Sequence, residues 1–285
     1  MRIARHSIPI KGAGHCIKIS ALGDWHVGAA ACDRDYIRRT VGRIAKEPNH
    51  YVLLMGDMAD MIKLGDKRYN PEIVDRAVPM CEDLVQWQID AVEEHLAPLR
   101  GRILAGLVGN HCATINKSYG VRPMDILANR LQFPCLGYSG FVVLTFPYGK
   151  SNVSTAQATV IYMHHGHGGG RRRGGKVNKI EDFATCYEAD VYLMGHVHTV
   201  CSFSAARLGV THSSKPSLVS RDQHFAITGT ALKTLQWEPD REEAAITYSE
   251  QFGFAPAAIG HTEITIWPSK GKLHRPKIEI KDVLG

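Results

Sequence analysis

Five short apolar runs lie in the first two thirds of the chain, and each leads into a cluster of polar residues and glycine. The runs are residues 16–22, 51–55, 103–108, 160–163 and 191–194. Apolar runs of this length, bounded by turn residues, are typical of buried strands. Their nearly continuous hydrophobicity favours a sheet that is covered on both faces. We therefore expect five buried strands, each with a polar cluster at its carboxyl end.

Apolar residues recur at helical spacing between some of these runs. The two stripes are Val85, Ile89, Val92 and Leu96 within residues 80–98, and Ile37, Val41 and Ile44 within residues 35–46. Spacings of three and four residues place such side chains on one face of an amphipathic helix. Strands that alternate with helices indicate an α/β protein, whose active site commonly lies at the carboxyl ends of the strands.

The pattern changes after residue 200 to strand-like runs separated by turns. These runs are residues 225–228, 245–248 and 263–267. We expect them to form a second sheet that packs into the same domain. A single domain would then span residues 1–285, with a motif-bearing part over 16–200 and a β-rich part over 201–285.

Composition and charge disfavour several classes of protein. The 285 residues include 34 basic and 28 acidic side chains, a net charge of +6, which is low for a protein that coats nucleic acid. No apolar run approaches the roughly 20 residues of a membrane span, and the first residues lack the pattern of a secretory signal. Seven scattered cysteines without a C-x-x-C pair favour free thiols in a reducing compartment. We expect a cytoplasmic protein without a membrane partner.

The polar clusters at the five strand ends carry side chains that bind metals. They are Asp24, His26, Asp57, Asn110, His165 or His164, His196 and His198. A single Asp-x-His is common at surfaces and in cores, but five clusters in order, each after a strand, favour a metal site. Imidazole mixed with carboxylate suits Mn, Fe, Zn or Ni. Because seven ligands exceed the needs of one ion, we expect two metal ions that share a bridging carboxylate.

Five motifs in this order resemble those of the calcineurin-like metallophosphoesterases. They are Gly23-Asp24-x-His26, Gly56-Asp57-x-x-Asp60, Gly109-Asn110-His111, His165-Gly166-His167 and Gly195-His196-x-His198. The resemblance covers about residues 16–200. It implies an α/β four-layer sandwich of two mixed β-sheets flanked by helices. It also implies a metal-dependent phosphoester hydrolase, in which a hydroxide that bridges two metal ions attacks phosphorus.

The same resemblance assigns a role to each motif residue. One metal ion would be held by Asp24, His26 and His198, the other by Asn110, His165 and His196, with Asp57 bridging both. His111 would transfer a proton, and Asp60 would orient it. We expect His165 as the fourth-motif ligand because the family's ligand often precedes glycine; His164 is the alternative. Mn is the expected metal, with Fe, Zn and Ni as alternatives.

Two further features bear on the site and its substrate. Cys112 stands where the family usually has an acidic residue, and we interpret it as a small buried side chain. Arg171, Arg172 and Arg173 lie in a glycine-rich segment that follows the fourth motif. Guanidinium groups pair well with phosphate, so this cluster either binds substrate or forms a solvated surface loop.

The sequence is compatible with more than one substrate class. A phosphorylated small molecule is the expected substrate, since the net charge is low and the arginines form the single dense basic cluster. The alternatives are a DNA or RNA nuclease and a non-catalytic binding scaffold of the same fold. The sequence does not separate monoesters from diesters.

Overall fold

The computed structural model describes residues 1–10, 14–62, 66, 69–71, 73–75, 78, 83–147, 158–170, 172–211, 214–235, 247–251, 253–268 and 275–285. The strands are β1 (Arg2–Ser7), β2 (Ile17–Leu22), β3 (His50–Leu54), β4 (Ile103–Gly106), β5 (Ser139–Thr145), β6 (Thr159–His164), β7 (Val191–Met194), β8 (Val200–Val210), β9 (Leu218–Thr230), β10 (Gly260–Trp267) and β11 (Lys277–Leu284). The helices are α1 (Arg34–Lys46), α2 (Leu84–Leu96), α3 (Asn110–Tyr119), α4 (Pro123–Leu131), α5 (Arg173–Cys186) and α6 (Tyr248–Gln251), with a short 3₁₀ turn at Ala97–Leu99.

The strands form two mixed sheets that join at one corner. The first sheet has the order β1-β5-β6-β7-β9, with β8 paired to β9, and the second has the order β10-β2-β3-β4, with β11 paired to β10. A short antiparallel pairing of β9 with β10, at Thr230 with Gly260 and Gly229 with His261, links the sheets. Within them, β6, β7 and β9 run parallel, as do β2, β3 and β4.

Three apolar layers show how the sheets stack. Ile19 and Leu53 of the second sheet share a fully buried core with Ile161 and Leu193 of the first, so the two sheets pack face to face. Helices α1 to α4 cover the outer face of the second sheet, and α5 covers the outer face of the first. The predicted α/β arrangement of two mixed sheets with flanking helices is therefore confirmed.

Both helices predicted from apolar spacing are present. Helix α1 begins after Asp33, whose carboxylate accepts a hydrogen bond from the backbone N–H of Tyr36, and Asp83 caps α2 in the same way. Such caps satisfy backbone donors that lack a partner within the helix. Within the part of the chain that the structure describes, no helix has the length and apolar character needed to cross a membrane.

The expectation that the strands after residue 200 form a separate second sheet is wrong. Residues 225–228 lie in β9 of the first sheet, and residues 263–267 lie in β10 of the second. The reason is that their apolar side chains face the core between the sheets, as Ala226 and Ile264 do. Of the run at 245–248, residues 245 and 246 lie outside the described residues, and Tyr248 begins helix α6 rather than a strand.

The directions of the strands place the candidate ligands at one edge of the sheets. Strands β2, β3 and β4 are parallel, and two antiparallel pairings, β2 with β10 and β10 with β9, give β9 and its parallel neighbours β7 and β6 the same direction as β2. The carboxyl ends of all five strands predicted to carry ligands therefore lie on the same side of the two sheets.

Candidate metal centre

Each of these five strands ends a few residues before candidate ligands. Asp24 and His26 follow β2, Asp57 and Asp60 follow β3, Asn110 and His111 begin α3 after β4, His165 follows β6, and His196 and His198 follow β7. The side chains form three groups of potential metal-binding atoms. The first comprises Asp24, His26 and His198, and the second comprises Asp57, His165 and His196; these two hold six of the predicted ligands. The third shares His26 with the first and adds Asp60 and His111.

Several candidate ligands have backbone angles that side-chain-bearing residues rarely adopt. Asp24, His26, Asp57, His196 and His198 have φ of 49°, 50°, 46°, 71° and 47°. The left-handed region costs a residue other than glycine about 1–3 kcal/mol, and such strain concentrates at functional sites. The loops after β2, β3 and β7 therefore hold these side chains at a cost in backbone energy, which points to a functional site.

The first group brings three potential ligand atoms close together. Nδ1 of His26 donates to the Asp60 carboxylate over 3.2 Å, so Nε2 is the nitrogen left for a ligand. That Nε2 lies 3.0 Å from Nε2 of His198. The buried Oδ1 of Asp24 has no hydrogen-bond partner among the described residues and lies 3.5 Å from Nε2 of His198.

A divalent cation fits this arrangement. A buried carboxylate oxygen without a partner costs free energy unless a positive charge or a donor faces it. Here Asp24 Oδ1 and the Nε2 atoms of His26 and His198 converge as three electron-pair donors. Two imidazole nitrogens and a carboxylate oxygen form a donor set that transition metals prefer.

The second group is also arranged around electron-pair donors. Nδ1 of His165 donates to the carbonyl of Met55 over 2.7 Å. Its Nε2 lies 3.1 Å from Oδ2 of Asp57 and 3.1 Å from Oδ1 of Asn110. Nδ1 of His196 lies 2.8 Å from the same Asn110 oxygen. In neutral His165, Nε2 carries no proton and faces two oxygens, so a proton or a metal ion must occupy the space between them.

The pKa shifts reflect this concentration of charge. Burial opposes ionisation of Asp57, but the imidazoles of His111 and His165 hold the pKa of this carboxyl below its ordinary value. Burial also opposes protonation of His165, but the Asp57 carboxylate raises its pKa to about 9. For His196, burial and the neighbouring His165 lower the pKa to about 4. Without metal, the second group therefore favours a protonated His165 beside the Asp57 carboxylate.

Helix α3 also holds Asp57 in place. Oδ1 of Asp57 accepts a hydrogen bond of 3.0 Å from the backbone N–H of His111, in the first turn of the helix. A helix N-terminus favours a negative charge. The approach requires glycine at position 109, because a Cβ there would lie 1.9 Å from Oδ1 of Asp57.

Asp60 contacts two histidines through different atoms. Its backbone carbonyl accepts a short hydrogen bond from Nδ1 of His111. Its carboxylate accepts from His26 at 3.2 Å and lies farther, at 3.8 Å, from Nδ1 of His111. The carbonyl therefore orients His111, and the carboxylate orients the candidate ligand His26.

The structure separates the two candidates of the fourth motif. His165 lies in the second group, whereas the ring of His164 stacks on Phe183 of α5 with ring centres 5.0 Å apart. Adjacent residues at the end of a strand point to opposite faces of the sheet. Of the two candidates, His165 is thus the one that the fold brings to the other predicted ligands.

Cys112 is buried, and burial raises the pKa of its thiol. A cysteine of this kind is a neutral packing residue rather than a nucleophile.

The described part of the arginine cluster does not lie with the predicted ligands. Arg171 lies outside the described residues, and Arg172 and Arg173 are exposed and do not line the cavity at the metal centre. The second half of the glycine-rich segment is helical, since α5 begins at Arg173. Lys176, one turn further along α5, does line the cavity.

The cavity has a volume of about 660 Å³, and its floor is formed by residues of both groups. Its other walls include Lys176, from the glycine- and arginine-rich segment, and side chains that the sequence did not single out: Ala29, Ala31, Leu232 and Phe254. No motif marks these four residues, because they come from segments far apart in the chain.

Known structures include proteins that are similar to this chain. Vps29 from Chaetomium thermophilum has 13% identity and a TM-score of 0.39, with coverage of 94% of this chain and 96% of that one. The calcineurin-like phosphoesterase YfkN from Bacillus subtilis has 14% identity and a TM-score of 0.37, with coverage of 94% and 90%. A metallophosphoesterase from Sphaerobacter thermophilus has 11% identity and a TM-score of 0.36, with coverage of 95% and 89%.

Comparison with curated proteins finds no match. The family model for calcineurin-like phosphoesterases matches residues 17–200, which is more than half of the chain and includes all five motifs. The chain belongs to the calcineurin-like phosphoesterase family.

Proposed function

We propose that the protein is a hydrolase of phosphoesters that uses two divalent transition-metal ions held in the candidate metal centre. The observation that carries this proposal is the convergence of two adjoining groups of buried histidine and aspartate side chains on one cavity. In both groups, potential ligand atoms lie about 3 Å apart: Nε2 of His26 from Nε2 of His198, and Nε2 of His165 from oxygens of Asp57 and Asn110. Membership in the family supports the same activity.

The residues divide between the two ions by proximity. Asp24, His26 and His198 would hold one ion, and Asn110, His165 and His196 would hold the other, with Asp57 between them. Two bound divalent ions supply a lowered pKa for a water molecule and charge stabilisation for phosphoryl oxygens. We propose Mn for both positions, with Fe, Zn and Ni as alternatives, because the ligands are imidazoles and carboxylates.

His111 would serve as the proton donor. It lines the cavity, and its ring centre lies 4.6 Å from that of His26. Nδ1 donates to the carbonyl of Asp60, which fixes the ring and makes Nε2 the nitrogen that exchanges a proton with the leaving oxygen. A positioned general acid of this kind contributes about 10² to 10⁴-fold in rate.

The cavity favours a small phosphorylated molecule over a polynucleotide. Its volume of about 660 Å³ lies within the range of small-molecule sites, roughly 300–1,000 Å³. A nuclease would need a basic surface that continues from the cavity, and Arg172 and Arg173 do not line it.

Hydrolysis assays test the proposal directly. Protein stripped with a chelator and reloaded with Mn should hydrolyse members of a panel of simple phosphomonoesters and phosphodiesters, and the stripped protein should not. Equal rates with stripped and reloaded protein, or no turnover of any ester by the reloaded protein, would contradict it. Binding of phosphorylated ligands without turnover would instead support a non-catalytic scaffold.

A further inference from the structure

The cavity at the metal centre has two kinds of lining. One part consists of the histidines, aspartates and Asn110 described above. Much of the rest is apolar: Ala29, Ala31, Ile62, Ile73, Leu232 and Phe254, with the neutral polar residues Thr234 and Ser249 beside them. Among the described lining residues outside the metal centre, the charged ones are Lys176 and Lys233. The metal centre thus faces a space that is mostly apolar.

Part of this wall is a small hydrophobic cluster of its own. Ala29, Ala31 and Leu232 pack together apart from the three larger cores and are 8%, 7% and 6% exposed. The backbone holds them in place: the N–H of Lys233 donates to the carbonyl of Ala31 over 2.9 Å, and Leu232 forms a β-bridge with Cys32. Because main-chain hydrogen bonds fix this wall, it is formed before any ligand binds, which lowers the entropy cost of binding.

Another part of the wall is formed by Gly253, Phe254, Ala255 and Ala257. The N–H of Phe254 donates to the carbonyl of Ser249 over 2.8 Å, and the N–H of Ala257 donates to the Thr234 hydroxyl over 3.0 Å. The Phe254 side chain lines the cavity while the residue remains 47% exposed. A half-exposed aromatic ring at a cavity provides apolar surface that a ligand can cover.

From this geometry we infer that the substrates are phosphoesters whose alcohol part is an apolar ring or chain, which lies against Ala29, Ala31, Leu232 and Phe254. The inference rests on the proposed function, since the metal centre would bind the phosphoryl group in the same cavity. A sugar or glycerol group placed against these four apolar side chains would leave its hydroxyls without side-chain partners there, and each unpaired hydroxyl lowers affinity.

A matched pair of esters tests this inference. Propyl phosphate and 3-phenylpropyl phosphate are both esters of primary alcohols and differ by one phenyl group; each is assayed with Mn-loaded protein as the monoester and as its methyl diester. Butylphosphonate and 4-phenylbutylphosphonate, which are not hydrolysed, give dissociation constants by calorimetry. We expect KM and Kd to be about tenfold lower for the phenyl compounds, as for a ring partly removed from water.

Variants test whether the preference for phenyl compounds depends on the apolar wall of the cavity. Phe254→Ala should remove at least threefold of the phenyl preference, and Phe254→Leu, which keeps an apolar side chain, should retain most of it. Leu208→Ala is the matched control, because Leu208 is 76% exposed on β8 and does not line the cavity. The control should leave both constants unchanged.

The outcomes separate this inference from the proposed function. Metal-dependent hydrolysis of both esters with equal KM, or a preference that Phe254→Ala does not change, would overturn the inference and leave the hydrolase proposal intact. If no ester is hydrolysed, the proposed function fails, and equal binding of the two phosphonates would overturn the inference as well. Cleavage of polynucleotides with no turnover of either small ester would also overturn it.

Discussion

The carboxylate of Asp60 lies 3.2 Å from Nδ1 of His26, closer than its 3.8 Å separation from Nδ1 of His111. The resemblance to the family implied that Asp60 orients His111. In the structure the backbone carbonyl of Asp60 serves that purpose. A carboxylate that accepts a hydrogen bond from a metal-binding histidine fixes the ring and raises the basicity of the ligating nitrogen. We therefore propose that the Asp60 side chain positions His26.

Asp60→Asn should weaken metal binding more than it impairs the chemical step. The amide keeps the shape but loses the charge that supports His26, and loss of such a partner typically reduces metal affinity about 10 to 100-fold. Titration with Mn should show one weakened site, and excess Mn should restore most of kcat. Asp35→Asn, an exposed carboxylate on α1, is the control and should change neither. A kcat that stays low at saturating Mn would show instead that the Asp60 side chain acts through His111.

His111→Ala should retain both metal ions and lose about 10² to 10⁴-fold in kcat, because the proposed role of His111 is proton transfer rather than ligation. Metal analysis and steady-state kinetics on the same preparation check this. His167→Ala, at an exposed histidine that does not line the cavity, should leave kcat unchanged. Loss of a metal ion from His111→Ala with normal turnover by the remaining loaded protein would show that the role is wrong.

Gly109→Ala should disrupt the second group of candidate ligands, although the substitution adds only one methyl group. The added Cβ would lie 1.9 Å from Oδ1 and 2.4 Å from the backbone N of Asp57, so the carboxylate must move. We expect a metal content below that of wild type and activity reduced by more than tenfold, since displacements of about 1 Å at a reacting centre can cost 10²-fold. Gly174→Ala in α5, where a Cβ has nothing within 4 Å, is the matched control. Normal Mn binding by Gly109→Ala would contradict the described approach of α3 to Asp57.

Lys176→Met should raise KM for small phosphoesters more than Arg172→Ala or Arg173→Ala does. The Lys176 ammonium lines the cavity and donates to the Val197 carbonyl at 3.1 Å and the Thr199 hydroxyl at 2.6 Å. It therefore holds a positive charge near the metal centre, whereas Arg172 and Arg173 do not line the cavity. Loss of one charge-assisted contact to phosphate should raise KM on the order of tenfold.

Kinetics at several salt concentrations extend this comparison to the arginine cluster. For a small ester, the salt dependence of KM should be shallow, because one phosphate group is bound. A nuclease would bind many phosphates, and removal of Arg171, Arg172 and Arg173 would then weaken polynucleotide binding and flatten its salt dependence. Salt-sensitive cleavage of DNA or RNA that this triple variant loses would favour the nuclease over a small-molecule hydrolase.

The metal centre could be foreseen from the sequence because its signals are local. Each candidate ligand follows a strand by one to four residues, and each strand is a distinct apolar run, so the pattern alone places Asp24 and His196 at strand ends. Helices α1 and α2 were likewise visible as stripes of buried residues. The left-handed backbone at Asp24 and His196 could not be predicted from the sequence, since nothing in these residue types requires it.

What the sequence did not reveal depends on contacts between distant segments. Strands β9 and β10 have ordinary strand patterns, and the pattern does not specify which sheet each one joins. The start of α5 at Arg173 was hidden because glycine and arginine runs have weak helical patterning. The cavity wall joins Ala31 to Leu232, which no periodicity links.

Metal stoichiometry is the most direct test of a dinuclear centre bridged by Asp57. Purified protein loaded with Mn and freed of unbound metal should contain about two ions per chain by mass spectrometry, because seven candidate ligands exceed the needs of one ion. Asp57→Asn, with its fold checked by circular dichroism, should show the largest loss, to below about one ion, since only a bridging carboxylate would serve both. A wild-type content near zero, or an Asp57→Asn variant that still binds two ions, would contradict a dinuclear centre bridged by Asp57.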